Sequence, residues 1–215
     1  MQAERKSKFI CIFLRRSPIS RLAQQALKVV QDERNAKITC TFPHFSLPSQ
    51  QKRTMKKEQA IFAAGCFWGV QYQLQRVPGV LTTSVGYIGG PEESPTYADV
   101  KAHRTHHVEA VWVEYDAEVV TYETLCRLFF EIHDPAQTDG IGPDIGPQYR
   151  SQIFYLNEEQ LHVAEATIAL LRSKGYEVNT ELRPTQHFWH GEEYHQNYYN
   201  KTGEEPYCHI RTKKF

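Results

Sequence analysis

Apolar and polar positions alternate in recognisable periods only after about residue 55. Ile61-Phe62-Ala63-Ala64 is a short apolar run that predicts a buried strand. Gly65 allows a tight turn, and Val70 to Gln75 after it has no helix breaker until Pro78. Leu81 to Tyr87 is rich in small and β-branched residues and predicts a second strand, closed by Gly89-Gly90-Pro91. Ser94 as cap with Pro95 at the first helical position predicts a short helix through Val100. Val108 to Tyr115 carries Val111, Val113 and Tyr115 on one row and Val108, Ala110 and Trp112 on the other. Both faces are apolar, so this strand is expected at the centre of a sheet, covered on both sides. Glu109 begins the row that continues as Val111 and Val113.

Thr121 is a cap for a helix with Leu125, Leu128, Phe129 and Ile132 on one stripe. Cys126 rides its shoulder, where packing is the expected role. The helix ends at His133-Asp134-Pro135, and a long polar loop with Gly140, Gly142, Pro143, Gly146 and Pro147 follows. A loop of that length is a candidate for function. Gln152 to Leu156 predicts a strand. Asn157 and Gln160 form a capping-box-like pair ahead of a helix with Leu161, Ala164, Ile168 and Leu171 inward and Gly175 at its end. Glu177 to Leu182 alternates as a last sheet strand, and Phe188 and Trp189 lead into a Tyr-rich helix over Glu192 to Tyr199. Thr202 to Phe215 is read as a mobile coil carrying Cys208. Strands mixed with helices in this order predict an α+β fold, a two-layer α/β sandwich.

Charge divides the chain in the same place. Residues 1–54 hold 11 basic and 3 acidic side chains, the remainder 14 and 22. The first segment has only one short amphipathic stretch, Arg21 to Val30, before Pro43 and Pro48. Its composition fits an organelle transit peptide, a disordered tail, or translation upstream of a start at Met55. We therefore expect a basic N-terminal extension over 1–54 and a folded domain over 55–215. The five cysteines, Cys11, Cys40, Cys66, Cys126 and Cys208, are odd in number and form no C-x-x-C pair. That argues against a disulfide scaffold or a structural zinc site and for a reducing compartment. No run reaches the ~18 apolar residues of a membrane span. A cytoplasmic location is expected, or an organelle if residues 1–54 are a transit peptide.

Gly65-Cys66-Phe67-Trp68-Gly69 places a thiol where a strand turns into a helix. Unpaired N–H groups and the helix dipole there favour thiolate, so a lowered pKa is predicted. Burial as a small hydrophobe is the alternative for a lone cysteine. His103, His106 and His107 lack helical spacing, and His190 and His195 are not an H-E-x-x-H pair, so no metal is expected. The Gly86-to-Gly90 loop is no phosphate cradle, and no G-x-S-x-G marks a hydrolase serine. A cysteine, a carboxyl on an apolar strand and loop tyrosines suit sulfoxide reduction. A thiolate attacks sulfur, a buried acid protonates oxygen, tyrosine hydroxyls hold it, and aromatic rings hold the S-methyl group.

From about Ala60 to Ile210 the chain resembles the peptide methionine sulfoxide reductase A family. The resemblance rests on Gly65-Cys66-Phe67-Trp68-Gly69, Gly86-Tyr87 with Gly89-Gly90, Pro95-Thr96-Tyr97, His107-Val108-Glu109-Ala110 and His133-Asp134-Pro135. It continues with Asp144-Ile145-Gly146, Gln148-Tyr149-Arg150-Ser151, Tyr194-His195-Gln196 and Tyr207-Cys208. With the pattern above, the expected fold has a mixed, mainly antiparallel central sheet (a ferredoxin-like core) and a long C-terminal coil. The resemblance implies Cys66 as nucleophile and Glu109 as proton donor. It gives Tyr97 and Tyr149 as oxygen ligands, Asp144 as support for substrate or water, and Phe67 and Trp68 as the methyl pocket. It implies reduction of methionine-S-sulfoxide, protein-bound and free, with thioredoxin as reductant and no cofactor, in a monomer that repairs oxidised proteins. Three departures stand out. Gln71 stands where the family usually has Glu, which predicts a changed support contact. His106 replaces a common Gly and is expected to crowd Glu109. Cys208 is the one tail cysteine, so it resolves the Cys66 sulfenic acid or an external thiol does.

Overall fold

The structure, a computed structural model, describes residues 55–141 and 144–215. The expectations for residues 1–54, Cys11 and Cys40 included, lie outside them. Among the described residues the strands are β1 Lys57–Ala64, β2 Val80–Ile88, β3 Val108–Asp116, β4 Gly140–Ile141, β5 Asp144–Ile145, β6 Ser151–Tyr155, β7 Glu181–Pro184 and β8 Trp189–His190. The helices are α1 Phe67–Leu74, α2 Tyr97–Lys101, α3 Tyr122–Glu131, α4 Glu158–Ser173 and α5 Tyr198–Thr202, with 3-10 turns at Pro147–Tyr149 and Glu193–His195. One sheet runs β7-β6-β1-β3-β2-β8. All its pairings are antiparallel except β6 with β7. The expected α+β architecture with a mainly antiparallel sheet is the one observed.

The period-2 rows sort the two faces. Ala60, Phe62 and Ala64 of β1 and Val111, Val113 and Tyr115 of β3 meet Phe67, Val70 and Leu74 of α1, Leu125 and Phe129 of α3 and Ala164, Ile168 and Leu171 of α4 in the main core. Ile61 and Ala63, Val108 and Ala110 face the other way onto Phe154, Trp112 and Phe188. So β3 is covered on both sides, as its two apolar rows require. Asn157 caps α4 through the Gln160 N–H at 2.9 Å, while the Gln160 amide reaches back to the Leu156 N–H.

Four local expectations are corrected. The cap of α2 is Thr96, not Ser94, because Thr96 and Asp99 satisfy each other's backbone N–H groups in a capping box. The strand predicted over Glu177 to Leu182 begins only at Glu181, and the following strand, β8, pairs with β2 at the opposite edge. The Tyr-rich helix is broken at Asn197, which is left-handed at φ 54°. Its N–H donates to Gln71 Oε1 at 2.8 Å, and Gln196 bonds the Val85 backbone, so both are drawn away from helical bonding. The tail is a coil, but it is fastened. Thr212 N–H donates to Glu131 O, Arg211 pairs with the buried Glu131 carboxylate at 2.6 Å, and Lys214 Nζ caps the Phe130 and His133 carbonyls.

Candidate active site

Cys66 is the N-cap of α1 and is 6% exposed. Gly65 before it has φ 98°, a conformation that turns β1 into the helix and that other residues rarely adopt. Cys66 forms a small buried cluster with Tyr149 and Cys208, with Trp68 against it. Its thiol is not lowered as the helix position predicts. The hydrogen bond to Cys208 and burial push it well above the ordinary thiol value, against the opposing pull of the Trp68 N–H. Desolvation and a neighbouring sulfur outweigh one helix end. Cys66, Cys126 and Cys208 are all free thiols. Cys126 is fully buried beneath Tyr122, the packing role expected of it.

Glu109 reaches this site from β3. It is 3% exposed, and its Oε2 accepts the Phe67 N–H at 3.1 Å. Burial, then the field of Cys66, raises its pKa well above the ordinary carboxylate value, so the carboxyl holds its proton more tightly than a free glutamate does. Tyr97, the first residue of α2, and Tyr149, the last of the 3-10 turn, both feel Glu109 and Cys66. Burial pushes Tyr97 up to about 12 and Tyr149 higher still, so both hydroxyls keep their protons and can donate. Asp144 lies in the β4–β5 hairpin and accepts the Tyr207 hydroxyl at 2.8 Å. That bond ties the loop to the residue before Cys208. The structure thus brings Cys66, Glu109, Tyr97, Tyr149, Asp144 and Cys208 together.

Phe67 is 1% exposed and packs on Tyr87 and His195 with ring centroids 5.9 and 5.2 Å away. Trp68 is half-buried and lies flat on Tyr198 at 3.8 Å. Its indole N–H donates to His195 Nδ1 at 3.1 Å. His195 and Glu192 have no role assigned from the sequence pattern. Glu192 accepts the Tyr87 hydroxyl and the Tyr97 N–H, both at 2.8 Å, and so fixes the start of α2. Their signal was present: polar residues spaced through an otherwise aromatic run.

Two of the three departures, Gln71 and His106, have structural answers. Gln71 is 1% exposed. It uses its amide NH2 on Thr83 Oγ1 at 3.2 Å and its oxygen on Asn197 N–H, a pairing that needs both a donor and an acceptor. His106 is 79% exposed and bonds Glu92 at 2.6 Å, so it faces away from Glu109 and does not crowd it. His133 is structural here. It is buried between Phe129 O and Ser151 Oγ, and burial holds it neutral, down at about 3.

The sequence profile of the family "Peptide methionine sulfoxide reductase" matches residues 58–215. The chain is 45% identical over 160 residues to the peptide methionine sulfoxide reductase MsrA of Pasteurella multocida, covering 74% of this chain and 92% of that protein. It is 48% identical over 149 residues to the MsrA of Methanosarcina acetivorans, covering 68% and 79%. Among solved structures it resembles Mxr1 from Saccharomyces cerevisiae in reduced form, with TM-score 0.68, 31% identity and 74% and 93% coverage. It also resembles methionine sulfoxide reductase A of Corynebacterium diphtheriae, with TM-score 0.62, 33% identity and 71% and 77% coverage. With a family profile matching nearly all of the described domain, the chain belongs to the peptide methionine sulfoxide reductase family.

Proposed function

We propose that Cys66, Glu109, Tyr97, Tyr149 and Cys208 carry the methionine sulfoxide reductase activity of this chain. The observation that carries the assignment is the buried Glu109 carboxyl, its pKa raised by burial, bonded to the Phe67 N–H beside Cys66 at one helix N-terminus. The Cys66 sulfur attacks the sulfoxide sulfur. This forms a transient S–S bond; the oxygen then passes to the Cys66 sulfur, the methionine S–O bond and the S–S bond break, and methionine leaves with the electron pair, so that Cys66 becomes a sulfenic acid. Glu109 protonates the oxygen in the transition state, and the proton given up by Cys66 restores the acid, so thiol plus sulfoxide becomes sulfenic acid plus thioether. Tyr97 and Tyr149 donate to the oxygen as negative charge develops. Trp68 forms the open wall of the methyl pocket, with Phe67 behind it and Asp144 orienting substrate or water.

Cys208 then attacks the Cys66 sulfur and water leaves, giving a Cys66–Cys208 disulfide. A dithiol protein of the thioredoxin type reduces it. A groove lined by Tyr176, Tyr207, Cys208, His209 and Ile210 opens beside the thiol, and Tyr207 and Ile210 are 56% and 76% exposed, an apolar rim for such a partner. We assign the S epimer at sulfur, in proteins and in free methionine sulfoxide, to a monomer whose reductase domain is 55–215 and whose residues 1–54 are an extension. No helix among the described residues is long and apolar enough to cross a membrane.

Separated sulfoxide epimers with dithiothreitol provide the test. The S epimer should give methionine and the R epimer should not, and Cys66→Ser should abolish the reaction. Turnover in Cys66→Ser, or preference for the R epimer, would overturn the assignment.

A further inference from the structure

The mechanism leaves the activation of Cys208 without a base. Beside it, His209 is 1% exposed and sits at φ 62°, a left-handed backbone that non-glycine residues rarely adopt. The twist turns its ring back under Cys208. Its Nε2 lies 2.7 Å from Ala64 O, a carbonyl that can only accept, so Nε2 carries the proton. Nδ1 is therefore left with its lone pair, 3.0 Å from Cys208 Sγ. The contact is seated on Gly69 of α1, where a Cβ would stand 2.4 Å from His209 Nδ1 and 3.1 Å from Cys208 Sγ. The imidazole is also anchored from outside, because Gln73 Nε2 donates to the His209 carbonyl at 2.9 Å.

We propose that His209 is the general base of the resolving step. The inference rests on the reading of Cys66 and Cys208 given above. As Cys208 attacks the Cys66 sulfenic sulfur, its S–H proton passes to His209 Nδ1. The new S–S bond forms, the S–O bond breaks, and the hydroxyl leaves as water with a proton from Glu109. The imidazolium then returns its proton to the carboxylate through solvent. The Cys208 sulfur is oxidised and the Cys66 sulfur is reduced by the same electron pair, so no further reagent is needed. The titratable groups facing His209 are Cys208 beside it, Asp144 from the β4–β5 hairpin and His133 at the end of α3. Burial keeps the imidazole below its ordinary value and so neutral and basic at pH 7.

The test uses the full chain, mixed with one equivalent of methionine-S-sulfoxide and quenched at intervals. Free methionine reports the first step, and intact mass after thiol alkylation reports the disulfide. His209→Gln keeps an N–H for Ala64 O but has no basic nitrogen. It should slow disulfide formation relative to methionine formation about 100-fold at pH 7. The deficit should shrink as pH rises and Cys208 ionises unaided. Equal disulfide rates in variant and wild type would overturn the role of His209. If the variant does not fold, the wild type decides. A solvent deuterium isotope effect of about twofold or more on the disulfide rate at pH 7 supports proton transfer to the base, and equal rates in light and heavy water overturn it. Absence of any Cys66–Cys208 disulfide in the wild type would instead overturn the underlying reading of Cys208.

Discussion

The Glu109 carboxyl and the Phe67 N–H meet at 3.1 Å, one residue beyond Cys66. A strand row and a helix N-terminus are locked together where the proposed mechanism delivers its proton. Glu109→Gln can keep the acceptor for Phe67 but has no acidic proton. Methionine formation should fall by about 100–1,000-fold at pH 7 in single-turnover assays. The sign of the pH dependence follows from the raised pKa. Unfolded Glu ionises near about 4.3. Between that value and the higher folded one, the native chain holds the extra proton, so stability falls as pH rises until the carboxyl ionises in the fold. Glu109→Gln should flatten that slope in denaturant titrations between acid and neutral pH.

His195 holds Trp68 through a single hydrogen bond to the indole at 3.1 Å. Its Nε2 makes no hydrogen bond and faces the Glu192 carboxylate at 4.0 Å. His195→Leu removes the acceptor and frees the indole to turn on Tyr198. Loss of one such bond is worth about 1 kcal/mol, or five- to tenfold. KM for methionine sulfoxide should rise by about that factor while kcat changes less, measured with dithiothreitol as reductant.

Lys214 spans the end of α3, donating to Phe130 O at 2.6 Å and His133 O at 2.8 Å. Phe215 beyond it packs between Arg127 and Lys174. These contacts hold the strand of tail that carries Cys208. Lys214→Met should cost about 2 kcal/mol in denaturant unfolding. It should also raise the alkylation rate of Cys208 above that of Cys126, whose burial does not depend on the tail.

The sheet was legible because β1 and β3 write their two faces in alternating residues, and Thr121 and Asn157 mark helix starts by chemistry that acts within three residues. Cys66 and Glu109 were legible for the same local reason: a thiol after a glycine turn and a carboxyl on an apolar row. What failed depends on contacts remote in sequence. Asn197 leaves the helix because Gln71 takes its N–H. The Cys66 thiol rises because Cys208 arrives from the tail. The tail itself is polar enough to read as free coil, yet the buried Glu131 carboxylate gathers Arg211 and the Lys214 N–H. No periodicity records those pairings.

Gly69 is the place where the opening motif and the tail meet. Within α1 a glycine is unfavourable by about 1 kcal/mol relative to alanine, so helix propensity alone favours Gly69→Ala. Packing opposes it, because the added Cβ would fall 2.4 Å from His209 Nδ1. His209 is fastened to Ala64 O and cannot yield without losing that bond. Overpacking of this kind costs about 1–3 kcal/mol, so the sum should be neutral to mildly destabilising in thermal unfolding. The larger effect is expected on recycling. With Cys208 displaced, the Cys66–Cys208 disulfide should form at least about tenfold more slowly, since misplacing a reacting group by about an ångström is costly. Turnover with dithiothreitol, which reduces the sulfenic acid directly, should fall far less than turnover with thioredoxin. Equal losses with the two reductants would place the role of Gly69 in the first step, at Cys66 itself.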